Sequence, residues 1–221
     1  MTERGIYQHT KTGKRYELVD VTVDGTSQPR FQKMDVSGEL PLFITGNQHK
    51  AEYLSRLLDI PLQHRKLSLD EIQSTSLEEI VEHKVRQAYA VAKRPVLVED
   101  VALSFEALGG LPGPFIKFFV EAPNGLENLC RMLDGFDDRT ATASCVFGYY
   151  DGQTVELLRS DLRGTIADHP RGEGGFGWDK IFCPEGYDGK TRAELTPEED
   201  AATYPTIKPI AKLRAFLQSR V

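Results

Sequence analysis

Residues 40–58, "LPLFITGNQHKAEYLSRLL", change period within one short segment. Leu42, Phe43 and Ile44 form an apolar run of strand length, Gly46 and Asn47 supply a turn, and Tyr53, Leu54, Leu57 and Leu58 recur at the spacing of one helix face. A strand therefore feeds directly into a helix. The same alternation follows downstream. "LQHRKL" (62–67) predicts a strand, "SLEEIVEHKVRQAYAVA" (76–92) a helix capped by Ser76 with Glu79 three residues on, and "PVLVED" (95–100) another strand. Strands alternating with helices predict an α/β domain with a parallel core.

Beyond that core the pattern changes. "ATASCVFGYYDGQTVELLRSDLRGTI" (141–166) is β-rich around a tight "YDGQ" turn and predicts an antiparallel hairpin, so the sheet is expected to be mixed. "TIKPIAKLRAFLQSR" (206–220) predicts a closing helix. Residues 1–40 are polar, with β-type runs such as "RYELVDVTV" broken at "DGTSQP". They are expected to form a β-type appendage, with 41–221 as the main domain.

Composition limits what such a domain binds. With 221 residues and 40% hydrophobic content, the chain can bury a substantial core. Both signs of charge are interspersed and the formal net charge is −6, which argues against a nucleic-acid surface. A polyanionic small molecule stays open, because it needs only a local lysine cluster and a metal. Cys130, Cys145 and Cys183 are odd in number, far apart and without CxxC spacing, as expected of a reducing compartment with neither a disulfide framework nor a zinc site. No apolar run reaches the roughly 18 residues of a membrane span, and "MTERGIYQHTKTGKRYE" has no signal-type apolar segment. A soluble, cytoplasmic protein is expected. His9, His64, His83 and His169 have no metal-ligand spacing.

Three stretches carry candidate chemistry. "TGNQHK" (45–50) joins strand to helix, where unpaired N–H groups and the dipole favour an anion and Lys50 adds a charge; an ordinary junction capped by Asn47 is the alternative. Glu99 and Asp100 end the apolar run "VLVED". A carboxylate there costs desolvation unless compensated. Either the pair caps the next element, or it helps hold Mg²⁺, which is usually bound by one or two carboxylates with water and phosphate. "GGFGWDKIFCPEGYDGKTRAEL" (174–195) sets Phe176 and Trp178 among glycines, with Asp179 and Lys180 beside them, either as a packed hairpin corner or as a platform for a flat ligand.

In this order, "FITGNQHK", "VLVEDVALSFEALGGLPGPFIKFF" and "GGFGWDKIFCPEGYDGKTRAELTPEE" resemble the inosine triphosphate pyrophosphatase family over roughly residues 41–200. The resemblance implies a long curved mixed sheet with two lobes around a central cleft, a homodimer, and Mg²⁺-dependent hydrolysis of deaminated purine nucleoside triphosphates to the monophosphate and pyrophosphate. Carried over, it makes Asp100 the metal ligand and water-activating base with Glu99 beside it. Glu71, in "LSLDEIQS", would be a second metal carboxylate. Thr45, Asn47, Lys50, Lys84 and Lys117 would hold the triphosphate, and Phe176, Trp178 and Asp179 the base side.

One region departs from the family. A lysine and then a Ser-His-Arg triplet, groups that read the purine 6-oxo oxygen, are expected where this chain has "EEDAATYPTIKPIAKL" (198–213). Asp200 stands at the lysine position, and Thr206-Ile207-Lys208 is the nearest equivalent of the triplet, with Pro205 in what looks like a short insertion. Lys208 is the candidate replacement donor, and Asp200 would accept from an amino group. Altered base preference, or a nucleotide-binding module without turnover, are the alternatives to the family activity.

Overall fold

The computed structural model describes residues 6–8, 15–23, 26–33 and 40–220. The chain divides into two compact units, Met1–Leu40 with Ala215–Val221, and Pro41–Arg214. In the first, β1 (Ile6–Gln8), β2 (Arg15–Val23) and β3 (Thr26–Lys33) form an antiparallel sheet in that order. Val23 pairs with Thr26, and Thr26–Pro29 of the "DGTSQP" break belong to β3. The first seventeen residues are described only where strands cross them, and the expectation of no signal segment there lies outside the described residues.

The larger unit opens with the strand and helix read from residues 40–58. They are β4 (Leu42–Ile44) and α1 (Gln48–Leu58), followed by β5 (His64–Arg65), α2 (Leu77–Ala92) and β6 (Val96–Phe105). β7 (Pro112–Gly113), α3 (Ile116–Val120) and α4 (Gly125–Arg131) come next, then β8 (Thr140–Tyr150), β9 (Val155–Ile166) and β10 (Phe182–Pro184). The chain closes on α5 (Pro197–Ile207) and α6 (Ile210–Gln218), two helices where the sequence suggested one. Pro209 causes the split: it pushes Lys208 into an extended conformation, φ −105° and ψ 136°.

A seven-stranded mixed sheet runs β10-β9-β8-β6-β4-β5, with β7 on β6. β5, β4 and β6 are parallel, as the β-α alternation requires, and β6, β8, β9 and β10 are antiparallel. Helix α2 covers one face through Leu77, Val81, Val85 and Ala88 against Val96, Val98, Ala102 and Val146. It lies so close that a methyl on Gly148 would meet Val81 Cγ1 at 2.5 Å. A second cluster packs Leu103, Phe105, Ala141, Ala143, Ile166 and Phe182 with Ile116, Leu129 and Leu133. Burial of some thirty apolar side chains in this unit is the main stabilising term. All three cysteines are buried and free, and among the described residues no helix is long and apolar enough to cross a membrane.

Register matters most at β6. Leu97 is its last residue paired to β4 and Leu103 the first paired to β7, so among the described residues no strand covers that edge in between. Glu99 and Asp100 lie in this gap, beside the loop that leaves the carboxyl end of β4. Open α/β sheets place ligands outside such strand ends.

Candidate active site at the open edge of the sheet

Glu99 and Asp100 are neighbours in the chain but not in space. Successive side chains of a strand point to opposite faces. Asp100 faces α2, where its Oδ2 accepts from Lys84 Nζ at 3.0 Å, and its Oδ1 accepts the Val101 N–H at 3.0 Å. Lys84 also donates to Glu71 Oε1 at 2.9 Å. Burial works against the Lys84 charge, but Asp100 and Glu71 more than restore it and hold its pKa above the ordinary lysine value. Glu71 is held below the usual carboxylate range, chiefly by the hydrogen bond from Lys84, with Lys117 close enough to contribute.

Glu99 faces the other way, with its side chain only 1% exposed. Oε1 accepts from Lys208 Nζ at 2.6 Å. Lys50 Nζ stands 3.1 Å from Oε2 as an ion pair, and Oε2 accepts no hydrogen bond. Burial alone would raise this carboxyl; the charges of Lys50 and Lys208 together overcome it and bring the pKa down to about 2. The two acids therefore serve different lysines on different faces of β6. The Lys208 ammonium, engaged by Glu99, also lies over the Tyr204 ring, 4.6 Å from the centroid.

The loop 45–50 adopts the capping geometry that its sequence allowed. Asn47 Oδ1 accepts the Lys50 N–H at 3.1 Å, and Thr45 Oγ1 accepts the Asn47 N–H at 3.2 Å. The cap takes only the Lys50 N–H, and the first turn of α1 has further orphan N–H groups and the positive end of the helix dipole. Lys66, just past β5, was not singled out in the sequence. A methyl on Gly46 would meet its Cδ at 3.0 Å, so its stem lies against this loop. Its only sequence signal is a position following a strand parallel to β4.

On the base side the expected residues separate. Phe176 is 79% exposed, whereas Trp178 packs edge-on against Phe182 with ring centroids 5.6 Å apart. Asp179 is buried and structural: Oδ2 accepts the Phe176 N–H at 2.9 Å and Oδ1 accepts from Arg192 Nη1 at 2.9 Å. Gly175, at φ +70°, makes this loop closure feasible, since a methyl there would lie 2.6 Å from Asp179 Oδ2. Arg192, missed in the sequence because nothing in its spacing ties it to an acid, opens a single 3-10 turn (Arg192–Glu194) and also donates to Asp200. Asp200 is therefore engaged by Arg192 instead of waiting for an amino group.

The residues of the α2 face suit a hard divalent cation. Among the described residues no group of three or more His, Cys, Asp and Glu is arranged for a metal. Yet Glu71 and Asp100 converge on one positive charge, the Lys84 ammonium, through hard oxygen donors. Two carboxylates plus water and phosphate is the usual Mg²⁺ donor set.

A model of the Ham1 family matches residues 41–216. Inosine triphosphate pyrophosphatase 2 of Trypanosoma cruzi is 45% identical over 175 residues, which cover 78% of this chain and 89% of that protein. The inosine triphosphate pyrophosphatase of Yarrowia lipolytica is 42% identical over 184 residues, 81% of this chain and 96% of that one. Among solved structures, the Ham1 protein of Staphylococcus aureus superposes with a TM-score of 0.71 at 25% identity, covering 81% of this chain and 98% of that one.

Proposed function

The chain belongs to the Ham1 family, and from that premise we propose that it hydrolyses inosine triphosphate and related deaminated purine nucleoside triphosphates to the monophosphate and pyrophosphate. The observation that carries the chemistry is the Glu71–Lys84–Asp100 cluster at the open edge of β6, beside an α1 N-terminus that carries Lys50. The identity of the base rests on the relatives named inosine triphosphate pyrophosphatase.

In this reading the triphosphate lies along the loop 45–50. The free N–H groups of the first turn of α1 and Lys50 bind its oxygens, with Lys117 and Lys84 adding charge. Asp100 holds the attacking water by accepting its proton, and Lys84 orients that carboxylate through its hydrogen bond to Oδ2. Mg²⁺ held by Glu71 and Asp100 would supply charge neutralisation on the phosphate oxygens when bound. Water adds at the α-phosphorus and the pyrophosphate leaves from the opposite side, so the protein's contribution is positioning and electrostatics. Phe176, exposed in its glycine-rich loop, stacks on the base.

One observation favours a second reading of the base. Lys208 and Asp200 are both consumed by internal ion pairs, so neither charged group near the closing helices is free to read a 6-oxo or amino substituent. A site without such a donor discriminates weakly between bases. The proposal also includes a cytoplasmic location, in keeping with three free cysteines, and a homodimer, which light scattering of the purified protein tests. Pyrophosphate release from inosine, xanthosine and the four standard nucleoside triphosphates, with Mg²⁺ and with chelator, tests the function. Metal-dependent turnover restricted to inosine and xanthosine substrates supports the first reading. Turnover spread over several bases supports the second, and no turnover on any refutes both.

A further inference from the structure

The Glu99 cluster holds more positive charge than it needs. The Glu99 side chain is only 1% exposed, and a buried carboxylate is tolerated only when well paired. Lys208 alone satisfies that need with its 2.6 Å hydrogen bond and a side chain 10% exposed. Lys50 is the second cation and differs in exposure: it is 33% exposed, pairs with Glu99 Oε2 at the longer distance of 3.1 Å, and stands in the first turn of α1. One acid therefore has two lysines, one sealed and one facing outward.

The sealed lysine is held from several sides. Its backbone caps α5, donating to Tyr204 O at 3.0 Å, and its ammonium lies over the Tyr204 ring. That ring meets Tyr53 of α1 edge-on, with centroids 4.7 Å apart. Tyr53 lies three residues after Lys50, on the same side of the helix. The end of α5 is thus fixed to the helix that carries Lys50.

We propose that Lys208 is a positioning residue for Lys50: by neutralising Glu99, it leaves the Lys50 ammonium aimed by that carboxylate but free to bind substrate phosphate. The inference rests on the phosphate-binding role of Lys50 given above. Without Lys208, Lys50 becomes the sole counter-charge of a buried carboxylate. A phosphate would then have to draw it away from an acid left with only the weak Cys145 thiol donor, 3.8 Å from Oε1, and the cost falls on binding and not on the chemical step. With Glu99 also neutral, there is nothing for Lys50 to be drawn onto.

The test measures tripolyphosphate binding by calorimetry, because this ligand has no base, alongside KM and kcat for inosine triphosphate. K208M is expected to weaken tripolyphosphate binding and raise KM by about tenfold or more while kcat changes by less than about threefold, a split that a loss of general stability does not produce. K208R is expected to stay close to wild type. The double variant E99Q/K208M is expected to bind within about threefold of E99Q. That comparison stands even if K208M alone does not fold, since the double variant leaves no buried charge. K208M binding as tightly as wild type overturns the inference, and so does E99Q/K208M binding much more weakly than E99Q, which would give Lys208 a direct contact with the ligand. K50M separates the two levels. If K50M binds tripolyphosphate like wild type, the phosphate role of Lys50 fails and the inference with it; if K50M weakens binding and K208M does not, the inference alone fails.

Discussion

Replacing Glu99 by glutamine removes one charge and almost no volume, and so measures what the buried ion cluster contributes. In the folded chain the carboxyl is held at about 2, against 4.5 when unperturbed, because Lys50 and Lys208 outweigh the burial cost. That difference, at about 1.4 kcal/mol per unit, corresponds to about 3 kcal/mol of stability at neutral pH. The sign follows from the lowered value: the contribution is complete above pH 4.5 and is lost as pH falls toward 2. By about pH 3 more than half of it is gone. E99Q should therefore melt roughly 6–12 °C below wild type at pH 7, taking about 2–4 °C per kcal/mol for a domain of this size. The gap should narrow as pH drops below 4.5. Circular dichroism melts from pH 7 to pH 3 measure it. A gap that is absent at pH 7, or that stays constant down to pH 3, refutes the electrostatic account of this cluster.

Other perturbations separate the remaining parts. D100N should cut kcat by about a thousandfold or more with the melting temperature within a few degrees of wild type, because the group that accepts the water's proton is lost while its volume is kept; near-normal turnover would remove Asp100 from the chemistry. E71Q should raise the Mg²⁺ concentration for half-maximal activity by at least about tenfold, a loss typical even of residues one step removed from a metal. An unchanged Mg²⁺ titration would exclude Glu71 as a ligand. S76A deletes the side chain that accepts the Glu79 N–H at the start of α2. It should cost about 1 kcal/mol in urea unfolding and leave kcat/KM unchanged.

The sequence made the β-α-β core legible because period and capping agree there. Asn47 and Ser76 cap the helices that their positions announce, and Leu42, Phe43, Val96 and Val98 read as buried strand and are buried. α3 and α4 carried no legible signal, since helices of five and seven residues are too short to show a period. α5 was hidden for another reason. Its first turn is acidic and it contains Pro205, which reads as a helix breaker; the helix does end two residues later, at Ile207, but nine residues of it precede or include that proline. The base-side network was illegible because it is tertiary: Arg192 meets Asp179 and Asp200 across thirteen and eight positions, spacings that match no helix or strand period. For Lys208, flanking prolines made direction unreadable, and only the fold shows that its partner lies 109 residues away.

Reading Glu99 and Asp100 as one unit set aside the alternation of a strand, and the structure shows what that alternation produces. On one face Glu71 and Asp100 share a single lysine, so the cluster carries a formal surplus of one negative charge. On the other, Glu99 is shared by Lys50 and Lys208, with a surplus of one positive charge. The two backbone positions are separated by one strand residue, about 3.3 Å of rise. A metal–triphosphate complex has the same polarity, a cation bound to an extended anion, so adjacent residues of one strand can meet both of its ends. The two faces should then fail differently: substitutions on the Asp100 face should appear first in the metal titration, and substitutions on the Glu99 face in the affinity for a base-free polyphosphate. If E99Q and E71Q shifted the same titration by the same factor, the faces would be acting as one site and this division of charge would be wrong.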